Sequence, residues 1–524
     1  MTQSTNNFSI YFQIGAALLL IPLFTFIIEV ISFFAGSCTQ FWQFPLGFVS
    51  GLLCAASMNG MRNFFSYLRP IAAYVILISV ILIIICYILQ DYTYDGNLYH
   101  QNTIAYLLKG WNPYLNTLGV DKLFYCARHY AKVLEIIAAA ISATTGLIEA
   151  GKAVNGMIIF AAAFLCFDAL GFILKNSSWK QKLLAMLMLV CNPVGMTQML
   201  SFYNDFAKYY YILITLCLAA RMLKGLNWPV ALLFISVIIM AIGTKFNAFF
   251  EEGLLIIAVI IWLWALKRRK DALQLVRLSF ASLIIGAFIL GYHPYVTNVI
   301  YEGNPFYPLL GSNTVDIMAG NTPQVFASGN RFSNFLLSVF SFHIPTCDLR
   351  IGGFGFFFPI ILLLSILALL VYRKYFPKIS LVLIGLIAIS CFIFEQSWWA
   401  RYVAQLWLIP CIIAIVLLHI ENLPKYGVIT RKSIIILAIL SGIIGLGVTC
   451  YKDAQLSLYR ISLFNSLEAK TIKVANNNEQ FERHAFEQGF SVIEVPLSSL
   501  DSTRSRYFYN EKTCALIEIP AKSK

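Results

Sequence analysis

Charged side chains are scarce in this chain: Asp, Glu, Lys and Arg make up 12% of its 524 residues, against 59% hydrophobic residues and a mean hydropathy of +0.75. A soluble protein of this length carries about twice that charged fraction, so a water-soluble enzyme is excluded at the outset. No Lys or Arg precedes Arg62, so the basic start of a secretory signal is missing. The first apolar stretch, from about Ile10 to Phe34, is too long for a signal h-region and is expected to be the first membrane span. The twelve cysteines never form a C-x-x-C pair, which argues against a zinc site. Cys38, Cys126, Cys347 and Cys514 fall near or outside span ends, and their spacing specifies no disulfide. There is no nucleotide-binding glycine loop, no internal repeat and no low-complexity segment. The formal charge of +13 would suit a nucleic acid, but the basic residues sit in short clusters between apolar runs. That is a topology signal, so no nucleic-acid partner is expected.

What the chain has in quantity is apolar runs of about the 20 residues a span needs. Thirteen are expected, at 10–34, 41–59, 70–90, 152–174, 181–200, 206–222, 229–244, 252–266, 278–297, 355–372, 379–394, 402–419 and 433–450. The predicted fold class is an all-α polytopic membrane protein. Every second connection is basic: Arg62 and Arg69; Lys175, Lys180 and Lys182; Arg221 and Lys224; Lys267 to Lys270; Arg373, Lys374 and Lys378; Lys425, Arg431 and Lys432. The positive-inside rule makes these loops cytoplasmic. The N-terminus is then cytoplasmic and the tail extracytoplasmic. Residues 1–69 are expected to form an N-terminal hairpin, 70–450 the core, and 451–524 a small outer α/β unit. In that tail, strands are expected at Ile472–Ala475, Ser491–Val495 and Ala515–Ile519, and a helix at Glu479–Gln488. Two long outer loops, 91–151 and 298–354, interrupt the core, and an amphipathic helix is expected near 121–145.

Polar residues gather on that outer side, while the spans look nearly free of charge apart from Asp168. Transporters instead place ionisable groups at mid-membrane. Gln90 to His100 carries Asp91 and Asp95 among three tyrosines. A carboxylate at the water–lipid boundary can serve as general base for a hydroxyl or amine; the plain alternative is a solvated loop in an interfacial aromatic belt. Lys245 can place a cation against a phosphate leaving group or simply snorkel. Arg401, an outward arginine beside Tyr402, can grip phosphate bidentately. Asp205 can orient an acceptor or cap its helix. His343 and the run Asp348 to Gly355 end the second long loop, with glycines that allow close backbone approach.

These elements come in a familiar order. Asp95-x-x-x-Tyr99-His100 with Lys109-Gly110-Trp111-Asn112-Pro113-Tyr114, then Tyr203-x-Asp205, Thr244-Lys245, Gly303 to Pro308, Gly352 to Gly355 and Arg401-Tyr402 span roughly residues 85–410. The chain resembles the GT-C class of integral-membrane glycosyltransferases, which includes protein O-mannosyltransferases and the lipid A aminoarabinose transferase, and above all their uncharacterised bacterial branch. The resemblance implies a GT-C-like helical core in a bacterial cytoplasmic membrane and inverting transfer of a sugar from a polyprenyl-phosphate donor to a glycan, lipid or protein acceptor. It implies Asp95 as catalytic base, with Asp91 as the alternative. Lys245 and Arg401 would hold the donor phosphate, and Tyr99, His100, Asp205, His343 and Tyr402 would line the substrates. Some members use a divalent metal, which the sequence neither requires nor excludes. Two features depart from the class. The candidate loop follows the third span, whereas in typical members it follows the first, and Gly96 stands where some members have Glu. A lipid-linked oligosaccharide flippase and a polysaccharide polymerase are the competing expectations.

Overall fold

Apolar side chains dominate the surface of several helices as well as the core. The computed structural model describes residues 8–115, 125–311, 314–315, 320–467, 470–501, 503–509 and 515–519. The described chain is about 70% helical. Helices α1 (Ile10–Phe34), α2 (Gln43–Ser57) and α3 (Phe64–Ile88) come first. The first loop folds into α4 (Gln101–Leu108), α5 (Tyr125–His129) and α6 (Val133–Thr145). The amphipathic helix expected near 121–145 is thus divided into α5 and α6, and its residues 121–124 lie outside the described residues.

Further along are α7 (Ala153–Ile173), α8 (Trp179–Val190), α9 (Pro193–Gln198) and α10 (Asp205–Met222). The expected 181–200 span is broken between α8 and α9. Pro193 cannot continue the helical hydrogen-bond ladder, and the Asn192 side chain restarts it by accepting from the Val194 N–H at 2.9 Å. Then come α11 (Trp228–Thr244), α12 (Phe246–Ala265), α13 (Arg269–Ile284) and the short α14 (Thr297–Glu302). The second long loop carries α15 (Arg331–Val339), and the core ends with α16 (Phe358–Tyr372), α17 (Lys378–Ser390), α18 (Leu408–His419) and α19 (Lys425–Asn465).

Seven helical segments among the described residues are long and apolar enough to cross a membrane, with shorter apolar helices beside them. This is compatible with a multi-pass membrane protein. Helix α1 runs through the centre, with Leu18, Leu19, Leu20 and Ile21 fully buried. Gly47 and Gly51 of α2 bring the two backbones together: a Cβ at either would collide with the main chain of Thr25 or Ile21. Small residues four apart are a recurrent means of close helix approach in lipid. On α3 the exposed side is Leu77, Val80, Ile81, Ile84 and Ile88, and on α16 it is Leu363, Leu367, Leu370 and Val371. Apolar stripes of this kind suit contact with lipid tails.

Three expectations are corrected. Helix α12 starts at Phe246 rather than near 252, so Glu251 and Glu252 lie buried inside it. Asp168 is not the main charge within the helices: Glu29, Lys208, Glu251 and Glu252 are buried there too. Lys208 and Glu251 pair at 2.8 Å, Glu252 accepts from Thr215, and Glu29 accepts from Thr39. Glu29 and Lys208 each stand as a lone charge between uncharged neighbours, and Glu251 and Glu252 fall at the expected edge of a span, where a charge is ordinarily solvated. Finally, the last helix does not stop near 450. Helix α19 is 41 residues long, about 60 Å at 1.5 Å per residue, and no proline interrupts it.

Beyond α19 the tail forms β1 (Thr471–Ala475), α20 (Glu479–Glu487), β2 (Ser491–Glu494), β3 (Ser505–Tyr507) and β4 (Leu516–Glu518). The order is β2-β1-β4-β3, with β1 and β2 parallel around α20 and β4 antiparallel to both neighbours. Ile472, Val474, Phe481, Ala485, Phe508 and Ile517 share one core with Leu463 and Phe464 from the end of α19. The alternating burial of β1 is the two-residue period of a half-covered sheet.

Candidate active site

The turns between helices bring six of the nine expected site residues to one end of the bundle. Arg401 lies at the centre. Its Nη1 is 3.0 Å from Asp95 Oδ2, 3.3 Å from Asp348 Oδ1 and 3.7 Å from Asp205 Oδ2. The Arg401 guanidinium lies 4.0 Å from the Trp399 ring centre and 5.2 Å and 5.4 Å from those of Tyr203 and Tyr402. This aromatic collar favours the cation. Burial works against the charge of Arg401, but Tyr402, Asp95, Asp348 and Tyr203 outweigh it and hold the group above its ordinary range.

Lys245 is the single residue between α11 and α12, where an extended backbone breaks the helix. It forms an ion pair with Asp205, and its ammonium sits 5.0 Å from the Tyr402 ring centre. Burial first, then the Arg401 charge, pulls Lys245 down to about 7, against the opposing effect of Asp95, Glu251 and Asp348. Asp205 opens α10, yet its carboxylate turns toward Lys245 and Arg401 instead of capping its own helix. Its negative charge still suits a helix N-terminus.

Asp95 is the most approachable of the expected acids, with a side chain 20% exposed. Its N–H points to the Tyr203 hydroxyl at 3.5 Å. The next residues, Gly96 to His100, form a π turn, a wide turn often found at functional sites. Glycine is required at 96 by close approach: a Cβ there would run into the Asp91 carboxylate and the Thr93 hydroxyl.

Asp91 faces the other way. It is fully buried and accepts from the N–H groups of Thr93 at 2.7 Å and Phe202 at 2.8 Å. Burial raises its pKa, and Lys152 partly offsets the rise. Asp91 therefore staples the loop, and it has no exposed surface from which to reach a substrate. Tyr99 and Tyr402 border the cluster: Tyr99 feels the charges of Asp95 and Arg401. His100 lies one layer behind, its ring 4.2 Å from that of Tyr99, and its Nδ1 is 2.7 Å from Glu135 of α6. His343 is exposed against Gly352, and among the described residues no hydrogen bond or ion pair joins it to the Arg401 cluster.

Four further neighbours of the cluster had no role assigned to them from the sequence. Asp348 is a direct partner of Arg401; burial raises its pKa and Arg401 only partly offsets this. Its one signal was proximity to Arg350 and the glycine run. Lys208 lies one turn after Asp205 on α10 and pairs with Glu251, and Gln405 donates to Glu251 at 3.4 Å. That spacing could have revealed Lys208, since residues three apart share a helix face. Trp399 and Tyr203 were visible as aromatics but not as a collar.

A divalent ion fits this set poorly. Asp95, Asp205 and Asp348 converge on a guanidinium nitrogen, and among the described residues no group of three or more His, Cys, Asp or Glu side chains is arranged to hold a metal. Cys38 and Cys347 are free thiols, Cys126 is buried, and Cys514 lies outside the described residues. Comparison with protein-family models, with curated proteins and with solved structures returns no match.

Proposed function

We propose that this protein is an inverting glycosyltransferase of GT-C-like architecture with about thirteen spans. In this reading it works at the outer face of a bacterial cytoplasmic membrane, with a cytoplasmic N-terminus and an extracytoplasmic tail. It moves a sugar from a polyprenyl-phosphate donor to a glycan, lipid or protein hydroxyl. One observation carries the reading: a partly exposed carboxylate, Asp95, is held 3.0 Å from a guanidinium, with Lys245 beside the same cluster, at one end of an apolar helix bundle. A base and two cations are what displacement of a lipid phosphate by a hydroxyl requires.

In the reaction, Asp95 takes the acceptor proton as the acceptor oxygen bonds to the anomeric carbon. The bond from that carbon to the phosphate oxygen breaks, and its electron pair leaves with the polyprenyl phosphate. Lys245 and Arg401 counter the charge that develops there. Asp348 and Asp205 are further carboxylates on the same guanidinium, and when the phosphate arrives Arg401 can exchange a carboxylate for it. The apolar flanks of the bundle suit the polyprenyl tail.

The test is transfer by purified protein in lipid, using radiolabelled polyprenyl-phosphate sugars and a membrane-lipid extract as acceptor pool. Label should pass to a new acceptor with the wild type, and Asp95→Asn should lower the rate at least 100-fold, the lower range for removing a general base. Full activity of Asp95→Asn would remove the base assignment. Intact donor crossing the bilayer without transfer would favour a flippase, and joining of lipid-linked repeat units would favour a polymerase.

A further inference from the structure

The loop that carries Asp95 is gripped on both sides by the C-terminal part of the chain. Past Cys450, α19 presents a buried stripe of Asp453, Ser457, Arg460 and Phe464, at the three- and four-residue spacing of one helix face. On the near side of Asp95, the Gln90 N–H donates to Ser457 Oγ at 2.9 Å and the Tyr92 N–H to Asp453 Oδ1 at 3.1 Å. Arg460 Nη1 reaches Gln90 Oε1 at 3.0 Å and Glu149 Oε1 at 3.3 Å. On the far side, Arg460 Nη2 donates to Asn97 Oδ1 at 2.8 Å. The small domain adds more: the Gln480 N–H donates to Asn102, His484 shares a hydrogen bond with Gln101, and the Tyr509 hydroxyl donates to the Tyr92 carbonyl at 2.6 Å. Arg460 is fully buried and stacks 4.0 Å from the ring centre of Phe508.

We propose that the C-terminal unit, the end of α19 with the domain built on it, positions the Asp95 loop, and that Arg460 is its positioning residue. The loop has no regular structure of its own between Leu89 and Thr93. Its polar groups must find partners somewhere: those of Gln90 and Tyr92 find them on Asp453, Ser457, Arg460 and Tyr509, while Lys152 meets the Leu89 carbonyl and Glu149 the Asp91 N–H. Arg460 bridges both flanks with one rigid fork, which a lysine cannot reproduce. Asp95 itself touches none of these groups. Its direction toward Arg401 follows from the anchorage of its neighbours. The kinetic part of this inference rests on the glycosyltransferase reading; the structural part does not.

The experiment is hydrogen–deuterium exchange on the full chain in lipid nanodiscs, comparing Arg460→Met and Tyr509→Phe with wild type. Peptides covering 90–102 are read against α17 as internal reference. Exchange in 90–102 should rise at least tenfold in Arg460→Met, and about three- to tenfold in Tyr509→Phe, the effect of one ordinary hydrogen bond. The reference should not move. In the transfer assay, kcat should fall at least tenfold with KM for the donor unchanged, and Arg460→Lys should recover part of the loss. Unchanged exchange in 90–102 in folded Arg460→Met overturns the proposal. Should Arg460→Met loosen the whole protein, Tyr509→Phe decides: a rise confined to 90–102 supports the proposal, and none overturns it. If no transfer is found with any donor while exchange rises as described, the enzymatic reading fails and the positioning stands.

Discussion

Removing the charge of Arg401 should destabilise the protein through the acids it leaves behind, and removing one of those acids should give stability back. The carboxylate oxygens of Asp95, Asp205 and Asp348 lie 3.0, 3.7 and 3.3 Å from Arg401 Nη1. They are therefore no more than about 7 Å from one another, where two like charges repel by roughly 2 kcal/mol at an effective dielectric constant of about 20. Arg401→Gln loses the attraction and keeps the repulsion. Breaking a buried ion pair from one side costs about 3–5 kcal/mol. Lys245 still compensates Asp205, so the unpaired charges are mainly Asp95 and Asp348. Asp348→Asn added to Arg401→Gln should then return about 2 kcal/mol, a coupling well inside the range for residues that share a partner. Alone, Asp348→Asn should change little, since its side chain is 31% exposed and its burial already disfavours the charge. The assay is the thermal midpoint of purified protein in detergent for wild type, both single variants and the double. The crowded acids of Arg401→Gln should also take up protons as pH falls, so its deficit should shrink toward pH 5. Additive midpoints in the four proteins, or an Arg401→Gln shift below about 1 kcal/mol, would refute the shared-cation account.

Lys245, lowered to about 7 by burial and the Arg401 charge, is charged below that pH and neutral above it. Binding of polyprenyl phosphate should therefore be tightest below about pH 7 and weaken as pH rises through it. Lys245→Arg should flatten the profile, because arginine stays charged throughout; a flat wild-type profile between pH 6 and 8 would remove Lys245 from the phosphate site. Asp91 and Asp95 should separate cleanly. Asp91→Asn should destabilise the fold by about 1–3 kcal/mol, the cost of a buried donor left unpaired, read as a lower thermal midpoint, yet keep measurable transfer. Asp95→Asn should do the reverse. Gly96→Ala should destabilise by about 1–3 kcal/mol, as overpacking does, and a neutral result would mean the loop is less tightly held against Asp91 and Thr93.

Much of the scaffold was legible because two periodicities leave strong marks. Long apolar runs located α1, α7, α10, α11 and α16 to within a few residues, since an apolar helix needs no tertiary partner to announce itself, whereas α13 begins at Arg269 rather than near 278 and α19 runs to Asn465 rather than 450. The small domain was legible for the complementary reason: β1 alternates, and α20 carries a polar, helix-forming sequence between two short strands. Asp95, Asp205, Lys245 and Arg401 were also nameable from sequence, because a charge at the end of an apolar run is conspicuous. The sequence did not settle the choice between Asp91 and Asp95. Four residues apart in a loop, they look alike, and only packing against Phe202 turns Asp91 inward.

The remaining features were decided by distances in space, which a single sequence does not encode. Asp348 and Arg401 are 53 positions apart and Asp95 and Arg401 are 306 apart, yet they meet on one guanidinium. Arg460 looked like one basic residue in an ordinary tail, and tertiary packing alone placed it, uncovered by any periodicity, against Gln90 and Asn97. Local composition determined which segments are helical and which end of the bundle carries charge. The tertiary structure decided which charges are paired, which are buried, and which, Asp95 among them, stay partly exposed. Burial and pairing depend on neighbours that the chain brings together only when it folds.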